Sequence, residues 1–257
     1  MYLPPKETIK DKLVKSIPHI VAIAILALIL LIVLTKFKWI PCDAVPGWCP
    51  VYCSIFGHSR IAFIHGDTGS GNPDLLKDMI MSQTWHITED VPLSQVSYGY
   101  LQGFELVIVE HARVMSDGQL KAVENYLSGG GSVLWIGDAG IEDVNGTVSG
   151  FRRMKSYLLV DYANQTINDT VANMTTIGSH AITQGLLHNL PLTTSFAQVT
   201  VNEAVATKVA ELKWHSETWP GIVENKYVGR VVYFSFPPED LKSKAMISNL
   251  IGFLVSC

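Results

Sequence analysis

The chain has 257 residues, a formal net charge of −4, 48% hydrophobic residues and 16% charged residues. That length accommodates one ordinary domain and an appendage. The mild acidity, with no basic stripe to displace counterions from phosphates, argues against a nucleic-acid partner.

The first element in chain order is "SIPHIVAIAILALILLIVLT" (16–35), which holds no Asp, Glu, Lys or Arg. About 20 apolar residues cross a bilayer core as a helix, so residues 17–36 are predicted to span a membrane. Lys6, Lys10, Lys12 and Lys15 precede the span and Lys36 and Lys38 follow it, which places the N-terminal segment 1–16 in the cytoplasm. A cleaved signal peptide has a shorter apolar region and small residues after it. Here "TKFKWIPC" follows, so the sequence predicts an uncleaved signal anchor in the cell membrane, with the C-terminal domain extracytoplasmic.

Residues 37–59 read as a juxtamembrane stalk rich in Pro, Gly and Cys, without clear periodicity. Trp39 and Trp48 fit an interfacial aromatic belt. Cys42, Cys49 and Cys53 cluster there and Cys257 ends the chain. Outside the cytoplasm these are disulfide candidates, and four cysteines allow three pairings. Their spacing lacks the paired short knuckles of a zinc site.

From Arg60 to Cys257 the texture is α/β. "RIAFIHG", "FELVIVE" and "SVLWIGD" are short apolar runs suited to buried parallel strands, and another strand is expected near 86–91. "NPDLLKDMIMSQT" reads as a helix with Pro73 in its first turn. "SDGQLKAVENYLSGGG" reads as a second helix, with Ser116 and Gln119 forming a capping box. Residues 139–175 are expected to be loop-rich. They carry four N-x-[ST] sites at Asn145, Asn164, Asn168 and Asn173, candidate glycan acceptors on an exposed face. "FAQVTV", "KVAELKW" and "GRVVYFSF" follow as strands. "LKSKAMISNLIGFLVS" closes the chain as a buried helix, too short and interrupted for a second membrane pass.

The "DTGS" of "IAFIHGDTGSGN" (61–72) has the letters of an aspartic-protease loop. Such an enzyme needs two facing carboxylates that share a proton, and no second "D[ST]G" occurs in the chain. The stretch also lacks the Lys-Ser/Thr of a P-loop. It reads as a glycine-rich turn in which Gly66, Gly69 and Gly71 permit positive φ.

"FELVIVEHARVMSDGQLKAVENYLSGGGSVLWIGDAG" resembles class I glutamine amidotransferase-like domains. "SHAITQGL" (179–186) and "GRVVYFSFPPEDL" (229–241) are similar to stretches of the trehalose-utilisation-type members. The resemblance covers roughly residues 60–256. It implies a three-layer, flavodoxin-like and amidotransferase-like α/β fold with a mostly parallel sheet. In that family a cysteine nucleophile follows the strand matching "VLWIG", where this chain has Asp138. The family's late histidine and glutamate fall in a "FHPE"-like stretch, where this chain reads Phe236-Pro237-Pro238-Glu239, so the glutamate alone remains. Without a thiol and an imidazole there is no nucleophile–base pair. The resemblance therefore implies a catalytically degenerate domain, with no catalytic residue, cofactor or metal assigned. The non-catalytic subunit of eukaryotic oligosaccharyltransferase also carries a domain of this superfamily at a membrane, although its anchor is C-terminal.

In open α/β sheets, ligands bind beyond the carboxyl ends of the strands. His65 and Asp67, Glu110 and His111, and Asp138 lie at three such ends, with Arg113 nearby, and are the ligand-binding candidates. Carboxylates with histidines suit a divalent metal or a small polar ligand; capping of helices and loop amides is the plainer alternative. His180 is expected to shape its loop. Trp214 and Trp219 are expected to pack in the core, an exposed binding edge being the alternative. The expected role is a non-catalytic binding or scaffolding subunit of a membrane or envelope assembly, with a protein partner. A metal-assisted hydrolase or ligand sensor built on the strand-end residues is the alternative.

Overall fold

The computed structural model describes residues 9–36, 40, 45–57, 59–82, 86–225 and 230–255. It divides into two units, Met1–Phe56 and Gly57–Val255.

In the first unit, helix α1 (Ile9–Lys36) contains a stretch, Ile17–Lys36, of 20 residues and mean hydropathy 3.1. At 1.5 Å per residue this rises about 30 Å, the thickness of a bilayer core. By length and composition it is the one helix among the described residues able to cross a membrane. The stalk, aperiodic in sequence, holds a second helix, α2 (Trp48–Phe56). Trp48 is buried, and its Nε1 donates to Thr35 Oγ1 at 3.0 Å. Cys53 is disulfide-bonded. Cys42, Cys257, Trp39 and the side chain of Cys49 lie outside the described residues.

The second unit is built on a nine-stranded sheet. Its first half consists of β1 (Arg60–His65), β2 (Ile87–Pro92), β3 (Leu106–Val109), β4 (Ser132–Ile136) and β9 (Val231–Phe234). They lie in the order β2-β1-β3-β4-β9, all parallel. β3, β4 and β9 are buried along their whole length, as strands covered on both faces must be. Helices α3 (Pro73–Met81) and α5 (Asp117–Ser128) start where expected. Asn72 Oδ1 caps α3 through Leu75 N, and Ser116 and Gln119 form the capping box of α5.

The second half of the sheet is antiparallel, which makes the sheet as a whole mixed. It adds β8 (Glu217–Asn225), β7 (Thr207–Trp214), β5 (Val160–Thr176) and β6 (Asn189–Val201) beyond β9. Much of the segment expected to be loop is therefore strand. β5 occupies 17 residues and carries Asn164, Asn168 and Asn173. Its inward side buries Ala172 and Met174, while the alternate residues Val171, Asn173 and Thr175 lie on the outward side, Val171 exposed and the other two half-buried.

Helices cover both faces. On one, α5 with the short helices α4 (Tyr98–Leu101) and α6 (Lys155–Leu158) packs Leu101, Val123, Leu127 and Leu158 against Val107, Trp135 and Tyr233. On the other, α3 and α7 (Lys244–Leu254) pack Leu76, Ile80, Ile247 and Leu250 against Phe63, Ile108, Leu134 and Phe234. α7 is a buried helix, as expected. Trp214 and Trp219 pack against this second core.

Candidate functional site

The order β2-β1-β3 places the topological switch point between β1 and β3. The chain leaves β1 toward β2 and later crosses to β3, so the two connections diverge there and open a crevice beyond the strand ends. The glycine-rich turn lies over that crevice. Gly66 N donates to His111 O at 3.0 Å, and Arg113 N donates to Thr68 O at 2.8 Å. Gly69 and Gly71 have φ of 135° and 97°, whereas Gly66 is not in the positive-φ region. At Gly71 a Cβ would lie 2.3 Å from Glu110 Oε1, so only glycine lets the turn close over that carboxyl.

Asp138 sits at the turn that follows β4 and is 3% exposed. Its Oδ1 accepts from Ser70 N at 2.9 Å and Ser70 Oγ at 3.0 Å; its Oδ2 pairs with Arg113 Nη1 at 2.5 Å. Arg113 Nε in turn pairs with Glu142 Oε1 at 2.6 Å. The turn is also held from below, where Tyr233 Oη donates to Gly137 O at 3.0 Å and Trp135 Nε1 to Ala139 O at 2.9 Å. Both carboxylate oxygens of Asp138 are thus occupied by the protein itself.

Glu110, at the end of β3, is 1% exposed, and no donor among the described residues reaches either of its oxygens. The group they meet is the carboxyl of Glu239, which is also 1% exposed and follows β9. Glu239 Oε1 accepts from Asn72 N at 2.7 Å, while its Oε2 has no donor among the described residues. Two carboxylates repel, but a carboxylic acid and a carboxylate share a proton. Burial, and then the neighbouring Glu239, push the Glu110 carboxyl well above the usual carboxylate range. Burial likewise raises Glu239 to about 7, against the lowering effect of the Asn72 N–H. Asp240 is raised by burial too, although Thr194 Oγ1 donates to its Oδ2 at 2.7 Å.

The five sequence-predicted residues therefore divide. Glu110 and Asp138 are buried beneath the turn, His65 and His111 are half-buried, and Asp67 is exposed. His111 stands at φ 50° and its Nδ1 has no partner among the described residues. No three His, Cys, Asp or Glu side chains among the described residues are grouped to hold a metal ion. Of the strand-end residues, Asp138 is engaged by Ser70 and Arg113, Asp67 faces solvent, and the Glu110 oxygens and His111 Nδ1 have no donor or partner among the described residues. His180 shapes its loop as expected. Its Nδ1 accepts from Ile182 N at 3.2 Å and its Nε2 lies 3.0 Å from Glu224 Oε2.

Solved structures with similar architecture span very different proteins. A ThuA-like protein from Bacteroides uniformis superposes with a TM-score of 0.59 at 13% identity, over 75% of this chain and 88% of that one. A GMP synthase subunit from Thermoplasma acidophilum gives 0.54 at 16% identity, over 77% and 94%. The domain has an amidotransferase-like fold. A β-galactosidase from Rahnella sp. R3 gives 0.62 at 15% identity over 76% of this chain, which spans 31% of that enzyme's length. No protein-family model and no curated protein sequence matches the chain. At such identities the likeness concerns fold and not chemistry.

In this amidotransferase-like domain the fold brings together Glu110 and Glu239, two buried carboxyls that no sequence motif pairs. Glu239 was legible as the glutamate left in "FPPE", and Glu110 as a strand-end residue. Their pairing depends on β9 lying beside β4, which the local sequence does not encode.

Proposed function

We propose that this chain is a single-pass membrane protein whose amidotransferase-like domain lies outside the cytoplasm and is a non-catalytic binding or scaffolding subunit of a membrane or envelope assembly. An accessory role in a glycosylation complex is one form of this. The observation that carries the reading is Asp138. At the turn where the resembling enzymes place a nucleophile, it is buried and committed to Ser70 and Arg113. A carboxylate used in this way braces the turn and has no free oxygen for attack.

The apolar stretch Ile17–Lys36 supports the anchor, and the lysine excess before it supports a cytoplasmic N-terminus. The Cys53 disulfide agrees with an oxidising compartment. Asn145 and Asn168 are exposed and suit glycan acceptors. The test is ammonia release from glutamine by the purified full chain. The expected rate equals that of buffer; release that disappears in Asp138→Ala or Glu239→Ala would contradict the reading.

One observation favours a second reading, that of a hydrolase or ligand sensor. Buried carboxyls with raised proton affinity at a switch-point crevice are what acid–base chemistry uses. Under that reading Glu110→Gln abolishes turnover or ligand response while the fold survives. Under the scaffold reading it leaves partner binding intact.

A further inference from the structure

A second concave site lies on the outer face of the antiparallel half of the sheet, and none of its residues belongs to the strand-end site. It is a cavity of about 400 Å³, within the range of small-molecule sites. β5 contributes Val171, Asn173 and Thr175, successive residues of its outward side. Lys213 of β7 stands directly opposite Asn173, and Asn189 of β6 opposite Thr175. Two imidazoles, His188 and His215, complete the lining.

The charge of this lining has one sign. Three residues offer nitrogen donors that can carry positive charge, and no carboxylate lines the cavity, on a chain whose net charge is −4. Lys213 forms no ion pair among the described residues. The carboxylate two residues before it, Glu211, is taken by Lys208 at 2.5 Å.

The two imidazoles are also fixed. His188 Nδ1 lies 3.2 Å from Thr176 Oγ1. His215 stacks on Trp214, with ring centroids 4.4 Å apart and an interplanar angle of 32°. Trp214 is itself held by Thr170 Oγ1 at 2.9 Å from its Nε1 and by the edge of Phe196. His215 opens the two-residue loop between the paired Trp214 and Glu217 with φ 53°. That is a position glycine favours in a hairpin. Histidine is among the non-glycine residues that take this conformation most often, and here the turn places His215 in the lining of the cavity.

We infer that this cavity binds a monosaccharide-sized, hydroxyl-rich anion, its carboxylate or phosphate held by Lys213 and the imidazoles. Asn173, Thr175 and Asn189 supply hydrogen bonds to hydroxyls, and Val171 an apolar contact for a C–H face. The inference does not rest on the scaffold reading, because it uses a different face and a different readout.

Calorimetric titration of the full chain in detergent tests it, with glucuronate and glucose 6-phosphate as probes, glucose as the uncharged control and inorganic phosphate as competitor. The expected result is saturable binding of at least one anionic sugar, at least tenfold tighter than glucose. A stronger response to glucuronate assigns the site to carboxylates, and one to glucose 6-phosphate assigns it to phosphates. Lys213→Met should weaken that binding tenfold or more, as loss of a charge-assisted contact does. His215→Gly should weaken it as well while the melting temperature holds or rises, since glycine relieves the turn. No saturation by either probe at millimolar concentration would overturn the proposal. So would binding unchanged in both variants, equal affinity for glucose, or a glycan on Asn173 in the native protein.

Discussion

Glu110 and Glu239 meet carboxyl to carboxyl beneath the glycine-rich turn, one at the end of β3 and the other just after β9. Neither is accessible to water, and Asn72 N, at the start of α3, ties Glu239 to the segment above it. The pair brings together the segments after β3 and β9, and the Asn72 N–H joins to them the segment after β1. Gly71 lies directly against Glu110, so the turn closes over the pair.

Stability should consequently fall as pH rises. Both carboxyls hold their protons more tightly in the folded domain than at the ordinary 4.5, Glu239 up to about 7. The folded state thus binds protons that the unfolded chain releases between these values. The associated stabilisation is complete below about pH 4.5 and is lost as pH rises through 7. Thermal melts at pH 5 and pH 8 should show the higher melting temperature at pH 5. Glu110→Gln and Glu239→Gln should flatten that difference, and a profile unchanged in both variants would remove the shared proton.

Asp138 should be a stability residue. Asp138→Ala leaves Arg113 without one of its two carboxylates and Ser70 N without its acceptor. Removing one partner of a buried pair costs roughly 3–5 kcal/mol, less here because Arg113 is partly exposed. Urea unfolding should show a loss of about 2–3 kcal/mol, while Asp138→Asn keeps the Ser70 contact and loses less.

Gly71 and Gly99 make a matched pair of alanine substitutions. A Cβ at Gly71 would meet Glu110 Oε1 at 2.3 Å from a backbone of φ 97°, whereas at Gly99 it meets nothing within 4 Å. Gly71→Ala should lower the melting temperature by several degrees, a shift on the order of 1–3 kcal/mol. Gly99→Ala, inside α4, should leave it unchanged or raise it.

Glycan occupancy should follow exposure. Expressed in a cell that glycosylates secreted domains, Asn145→Gln and Asn168→Gln should each remove one glycan from the intact mass, since both positions are exposed. Asn173→Gln should remove none, because Asn173 lines the cavity beside Lys213. A full chain with no glycan at any site would contradict the extracytoplasmic placement in such a cell.

The parallel half of the fold was legible because its signals are local. "LVIV" is buried on both faces, and Ser116 with Gln119 closes its capping box within four residues. The antiparallel half was legible in part: "FAQVTV" and "KVAELKW" fall in β6 and β7, whereas β5 and β8 did not read as strands. β8 contains Pro220 and Gly221, residues disfavoured inside a strand; Pro220 is tolerated because the β7–β8 register shifts between Ala210 and Glu211, where the partner is Pro220. β5 is rich in Asn, Asp and Thr and carries two register shifts, with Asp169 at φ 46° inside the second. Its hydrophobic alternation is interrupted there, so it reads as loop. The strand-end residues were found from their positions, but which of them meet depends on strand order. Thus Asp138 finds Ser70 and Arg113, and Glu110 finds Glu239.

The most direct test of the scaffold reading is the native mass of the full chain extracted from its own membranes in mild detergent, with identification of every co-purifying chain. The account expects a partner at fixed stoichiometry, retained in Glu110→Gln and Asp138→Asn. A chain that migrates alone, at its own mass of 28.3 kDa plus detergent and glycan, would contradict it.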